Sequence, residues 1–392
     1  MKRFKKIVSL FSAAVLTAGL LAGCGNSGDQ GADSGSSSEN SDVVKIGIIA
    51  PQTGQVAVYG KAALNGAQLA IDEYNEAGGI LGGKKIETVV YDDKGDNNEA
   101  INAYKKLTTS DNVDALIGPV ISTNTLAIAP LASKDGLPMI TPTGTAEDIT
   151  IGNDTVFRSC FTDGQQGEII AKYSLEDLGA KKVAILNEQT DYGQGLAKAF
   201  KQYAEDNGAE VVAEKAYSSG DKDFKSAITD IKAADPDVVF LAGYYNEVAL
   251  IGKQAKEAGL DATLVGGDGW DGVLEIDPAS IEGGFFSNHY SPDDEDEVVQ
   301  NFVTKYKETY NGEEPKSFSA LGYDAAKTMI EAMEAAGSTD KAAVVEALKA
   351  TDLPLVSGKT KFDENGDPIK EVSIIKVEDG KYKLETKVSL DK

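Results

Sequence analysis

The sequence predicts two α/β lobes, each on a parallel central sheet wound in the Rossmann-like manner. From residue 43, short β-branched runs alternate with stretches of helical apolar spacing. The alternation stops in a loop over 141–155 and then restarts. About 350 residues follow the N-terminal leader and a polar tail, enough for two lobes rather than one core.

The elements follow in order. Residues 43–49 (VVKIGII) are apolar almost throughout and read as a buried strand. Over 60–75, Leu64, Ala67, Ile71 and Tyr74 recur at helical spacing. Strands are predicted at 87–91, 115–117 and 138–140, with helices at 99–110 and 123–133 between them. After the loop, strands at 182–186, 210–213, 238–241 and 264–265 alternate with helices at 193–207, 224–234 and 247–258. The remainder reads as helices at 294–310, 319–337 and 341–350, then strand-like runs at 372–377 and 382–388. These late elements need not join the lobe nearest them in sequence.

The first 24 residues bear on where the protein works. Lys2, Arg3, Lys5 and Lys6 precede an uncharged apolar run over 7–22. That is the pattern of a secretory signal, and the run is shorter than the ~20 residues of a membrane-spanning helix. Leu21-Ala22-Gly23-Cys24 ends it and resembles the lipobox of bacterial lipoproteins, which implies cleavage after 1–23 and palmitate-type acylation of Cys24. Residues 25–42 (GNSGDQGADSGSSSENSD) hold no large apolar side chain, so 24–42 reads as a lipidated cysteine on a flexible tether.

Charge and cysteine content exclude several functions. Removing a leader with four basic and no acidic residues takes the net charge from −25 to −29. Nucleic acid is therefore not an expected partner. If Cys24 carries lipid, Cys160 has no disulfide partner, and with Phe157 and Phe161 beside it the thiol reads as buried. His289 is the only histidine, so Ser-His and Cys-His catalysis lack support, and metal-ligand spacings are absent. Residues 78–85 imitate a P-loop without its Ser/Thr, 267–272 match G-x-G-x-x-G in the wrong place, and 363–367 begin like a calcium loop that Pro368 breaks. No cofactor and no enzymatic activity are expected.

Three loops at predicted strand C-termini remain, where open α/β sheets bind ligands. Residues 118–125 (GPVISTNT) enter a helix with free N–H groups and hydroxyls, which suits a carboxylate; simple N-capping by Ser122 or Thr123 is the alternative. Residues 140–145 (ITPTGT) offer hydroxyls, N–H groups and carbonyls, and 266–270 (GGDGW) place one acid and the only tryptophan among glycines.

In this order the loops resemble those of the branched-chain amino-acid binding proteins of ABC transporters, with their type I periplasmic-binding fold. The landmarks span 43–392: Ile48-Ile49-Ala50-Pro51, Thr53-Gly54, Tyr59-Gly60, Asn75, Gly78-Gly79-Ile80, Tyr91-Asp92-Asp93, 118–125, Ile140-Thr141-Pro142 and Asp191-Tyr192-Gly193-Gln194-Gly195. The resemblance implies that Ser122 and Thr145 hold a ligand α-carboxylate. It assigns the α-ammonium to the Thr143 carbonyl, the Thr145 hydroxyl and Asp268, with Asp163 in support. Tyr244 would close over the carboxylate from the second lobe, and Tyr59, Tyr192, Trp270, Phe318 and Ile121 would line the side-chain pocket. It further implies lobe 1 at 43–162 plus 290–370, lobe 2 at 163–289 plus 371–392, and three crossovers near Thr162, His289 and Lys370.

The expected protein is a monomeric, extracytoplasmic solute-binding component of an ABC importer. It would capture free leucine, isoleucine or valine by lobe closure and deliver it to the permease membrane subunits, held at the outer face of the cytoplasmic membrane by lipid on Cys24. A ligand-sensing module of the same fold and a secreted carboxylate-based hydrolase, using acids such as Asp268 and Asp271, are the rival readings.

Overall fold

The computed structural model describes residues 43–389. The predicted signal peptide, the lipidated Cys24 and the 24–42 tether lie outside the described residues.

The first half alternates as far as β4: β1 (Val43–Ile49), α1 (Ala57–Glu76), β2 (Lys85–Tyr91), α2 (Asn97–Lys106), β3 (Ala115–Ile117), α3 (Ser122–Asp135) and β4 (Met139–Thr141), after which β5 (Val156–Arg158) follows with no α-helix between. These strands form an all-parallel sheet ordered β2-β1-β3-β4-β5. The second half runs α4 (Asp163–Glu176), β6 (Lys182–Glu188), α5 (Asp191–Asp206), β7 (Glu210–Tyr217), α6 (Lys225–Ala233), β8 (Val238–Ala242), α7 (Tyr245–Glu257), β9 (Thr263–Gly266), α8 (Val273–Ile276) and β10 (Phe285–Asn288). Then come α9 (Glu297–Thr309), α10 (Ser317–Ala336), α11 (Lys341–Lys349), the hairpin β11 (Asp352–Leu355) and β12 (Gly358–Lys361), and finally β13 (Val372–Glu378) and β14 (Lys381–Val388).

The second sheet has the order β14-β13-β10-β9-β8-β6-β7. It is parallel except that β13 runs antiparallel to both of its neighbours. The late strands therefore extend the second sheet. The helices just before them go elsewhere: α10 packs along α1, against β3 and β4 of the first sheet. The two helices touch almost backbone to backbone. A Cβ on Gly66 would sit 1.8 Å from the Ser319 carbonyl oxygen, and one on Gly322 would sit 2.0 Å from that of Ala63. Any larger residue at either position would push the helices apart.

Periodicity did not mark β5, α4 or β10. β5 and β10 span three and four residues, too few for alternation to register. α4 opens Asp-Gly-Gln-Gln-Gly, which weakens its apolar stripe, yet Thr162 caps it by accepting from the Gln165 N–H at 3.2 Å.

Both sheets are wound so that strand order reverses beside their first strand, at β1/β3 in one and β6/β8 in the other. Loops at the C-terminal ends of these strands meet at one place, as the rule for open α/β sheets requires.

Candidate functional site

Eleven residues line a narrow cavity: Tyr59, Val120, Ile121, Ser122, Thr143, Thr145, Tyr192, Tyr244, Asp268, Gly269 and Phe318. Nine of them are residues to which the family resemblance gave a place in ligand binding. They arrive from both sheets. Ile121 and Ser122 follow β3, and Thr143 and Thr145 follow β4. Tyr192 opens α5 after β6, Tyr244 follows β8, and Asp268 follows β9. Tyr59 and Phe318 stand in the first turns of α1 and α10.

One wall is built from N–H groups and hydroxyls. Ser122 is the first residue of α3, whose N-terminus has no side-chain cap. Its Oγ instead crosses to the next loop, accepting from the backbone N–H of Thr145 at 3.1 Å and of Ala146 at 3.3 Å. The Thr145 hydroxyl lies 3.5 Å from the same oxygen. The Thr143 hydroxyl donates to the Val120 carbonyl at 2.6 Å, locking the two loops together. A helix N-terminus and a hydroxyl-rich turn thus meet on one side, the chemistry of an anion site.

The opposite wall is acidic. Asp268 Oδ1 accepts from the Tyr192 hydroxyl at 2.8 Å, and its Oδ2 pairs with His289 Nε2 at 2.9 Å. The Asp268 N–H donates to Gln166 Oε1 at 3.2 Å, and Gln166 Nε2 donates in turn to Asp163 Oδ1 at 3.2 Å. Asp163 is fully buried behind this wall and does not face the cavity directly. Its Oδ2 has no hydrogen-bond partner among the described residues. Burial, with repulsion from Asp268, holds its carboxyl well above the usual carboxylate range, and the neighbouring Thr145 hydroxyl offsets only part of that. Among the described residues, neither acid pairs with a lysine or arginine.

Aromatic rings form the rest. Tyr192 and Tyr244 stack at 5.0 Å with nearly parallel planes, and Tyr59 packs edge-on to Tyr244 and tilted against Phe318 at 4.6 Å. The Tyr59 hydroxyl spans the cleft, donating to the Gly269 carbonyl at 2.5 Å and accepting from the Tyr245 N–H at 3.1 Å. The Gln55 carbonyl accepts from the Tyr245 hydroxyl at 2.5 Å and from Asn246 Nδ2 at 2.6 Å. The cleft is closed.

Trp270 corrects an expectation. It does not line the cavity: its indole is fully buried beneath the loop, stacked near Phe286, with Nε1 donating to the Leu241 carbonyl at 3.0 Å. The bare backbone of Gly266 makes the room, since a Cβ there would lie 2.0 Å from Trp270 Nε1. Cys160 is buried as expected, its thiol 3.2 Å from the Gly144 carbonyl, and burial pushes the thiol's pKa up. Sequence reasoning missed His289, Gln166, Tyr245, Val120 and Gly269. His289 follows a strand too short to be read, and Gln166 lies in the helix whose start is obscured by glycines.

Two α/β lobes that close around a pocket with an anion-binding wall, an acidic wall and an aromatic slot define a solute-binding protein of the cleft-trapping class. The chain belongs to the periplasmic binding protein family, whose match covers residues 43–381. It is 36% identical over 336 residues to the Leu/Ile/Val-binding protein BraC3 of Rhizobium johnstonii, covering 83% of this chain and 88% of the relative. Two crystal structures are close in fold. The leucine binding protein LivK of Thermotoga maritima superposes with a TM-score of 0.84 at 35% identity, over 88% of this chain and 99% of that one. LivJ of Streptococcus pneumoniae, in complex with isoleucine, gives 0.83 at 35% identity, over 89% and 100%.

Proposed function

We propose that the protein binds a free aliphatic α-amino acid (leucine, isoleucine or valine) and delivers it unchanged to the permease subunits of an ABC importer. The observation that carries this reading is the pair of buried acids, Asp268 and Asp163, without a lysine or arginine paired to them. Asp268 lacks a lysine or arginine to balance its charge, and burial pushes Asp163 towards its neutral form; a ligand ammonium would supply the missing counter-charge. Ser122 and Thr145 face the α-carboxylate from the other wall, and Ile121, Val120, Tyr59 and Phe318 receive the side chain. The relatives' names and the isoleucine complex favour the same ligand class.

The lobes take residues 43–162 plus 290–370 and 163–289 plus 371–392, joined at three crossovers near Thr162, His289 and Lys370. The protein acts as a monomer outside the cytoplasm, tethered through lipid on Cys24. No helix among the described residues is long and apolar enough to cross a membrane.

Calorimetry on the purified protein tests the ligand class. Tight binding of leucine, isoleucine or valine is expected, with weak binding of glutamate and lysine, because no cation or carboxylate lines the side-chain slot. Binding of a sugar or dicarboxylate, with no response to aliphatic amino acids, would refute it.

A pH dependence follows from Asp163. Its carboxyl titrates well above the unfolded value, so neutral Asp163 stabilises the free protein at low pH, and that contribution is lost as pH rises through the raised value. A bound ammonium favours the ionised form. The rise in melting temperature produced by saturating leucine should therefore grow as pH rises through the raised value of the free protein. A ligand-induced shift independent of pH would remove Asp163 from the ammonium site.

A further inference from the structure

We propose that His289, the chain's only histidine, is a positioning residue for ligand recognition: as a neutral imidazole protonated on Nε2, it orients the Asp268 carboxylate towards the ligand ammonium. The inference rests on the assignment of Asp268 to the ammonium made above.

Three features of the imidazole carry it. First, Nε2 lies 2.9 Å from Asp268 Oδ2, with the two side chains only 1% and 3% exposed. The other oxygen is held by Tyr192, so the carboxylate is fixed from two sides and cannot rotate freely. Second, the ring stacks on Phe161 with centroids 3.7 Å apart and an interplanar angle of 24°. The stack sets the plane of the imidazole and therefore the direction of its N–H. Third, Nδ1 is buried and without a hydrogen-bond partner among the described residues. A proton there would be a buried donor facing no acceptor, whereas a proton on Nε2 points at a carboxylate oxygen. The hydrogen-bond network thus selects one tautomer.

A neutral donor is what this place needs. An imidazolium would cancel the charge of Asp268 and compete with the incoming ammonium. A neutral N–H orients the carboxylate and leaves its charge for the ligand. Burial is the main influence lowering the pKa of His289, aided by Lys370 and opposed by Asp268, so the neutral form is favoured. A phenylalanine could stack on Phe161 equally well; the imidazole adds one N–H, and that N–H meets the ammonium-binding acid. His289 also directly follows β10, where the chain leaves the second sheet for α9, which packs near α1. Ligand contact at Asp268 is thereby joined to the segment running between the lobes.

The test uses the full protein and two measurements. With one histidine, imidazole ¹⁵N NMR gives a single, unambiguous pair of signals. At about pH 7 they should report the Nε2-protonated neutral form, with and without leucine, and they should shift in Asp268→Asn. Calorimetry should show His289→Phe, which keeps the stack, losing at least about tenfold in leucine affinity while the free protein melts near the wild-type temperature. His289→Gln, whose amide nitrogen can occupy the Nε2 position, should recover most of that loss. An imidazolium or an Nδ1-protonated ring at that pH overturns the inference, as does wild-type affinity in His289→Phe. If wild-type protein binds no aliphatic amino acid, the functional reading itself falls and this inference with it; wild-type binding beside an unaffected His289→Phe overturns the inference alone.

Discussion

Asp268→Asn should weaken leucine binding by about ten- to hundredfold while leaving the melting temperature of the free protein almost unchanged. The substitution keeps the size and shape of the side chain and removes only its charge. A hydrogen bond to a charged group contributes about 1.5–3 kcal/mol, which sets the expected range. The free protein should tolerate the change because the amide can still accept from Tyr192 or His289 through its oxygen. With that oxygen accepting from His289, the NH₂ can donate to the Tyr192 hydroxyl, so both contacts survive with one of them reversed in direction. Calorimetry on wild type and mutant checks the affinity, and a thermal melt of each without ligand checks the fold. Unchanged leucine affinity would place the ammonium elsewhere, with Asp163 the next candidate.

The second large effect is expected at Tyr59, through closure rather than direct contact. Its hydroxyl makes two hydrogen bonds across the cleft, to the Gly269 carbonyl and from the Tyr245 N–H. Tyr59→Phe keeps the ring against Tyr244, Tyr245 and Phe318 but leaves both backbone groups unpaired in the closed form. Each unsatisfied buried group costs about 1–3 kcal/mol, and only in the closed state. A ligand that binds the closed state must overcome that cost, so apparent affinity should fall by at least about tenfold. Small-angle scattering separates this from a damaged pocket. Wild-type protein should contract on adding leucine, and the mutant should contract only at higher ligand concentrations. A mutant that closes and binds like wild type would show that the Tyr59 hydroxyl does not hold the lobes together.

Much of the site could be read in the sequence because it is built from loops whose chemistry is local. Ser122, Thr143 and Thr145 sit in hydroxyl-rich turns immediately after short apolar runs, and Asp268 sits among glycines after another. Such turns carry their own signal: strand, breaker residues, polar groups, helix. Trp270 shows the limit. The sequence places it beside Asp268, but whether its ring faces the cleft or the core depends on the space above Gly266 and on the Leu241 carbonyl, 29 residues away. Phe318 was assigned to the pocket through family resemblance; no local pattern marks it, since α10 reaches the cleft only by packing on α1 more than 200 residues earlier.

The sequence by itself determined the alternation of strands and helices, the restart that makes two lobes, and the polar loops that line the cavity. These follow from periodicity and turn chemistry, which act over a few residues. Only the tertiary structure decided that β13 enters the second sheet antiparallel, that α10 returns to the first lobe, that Trp270 turns inward and that His289 meets Asp268. Hydrophobic patterning states that a face must be buried but not which distant face will cover it. That choice belongs to the packing of the whole chain, where close backbone approach at Gly66 and Gly322 and the buried contact between His289 and Asp268 select among arrangements that the local pattern leaves equal.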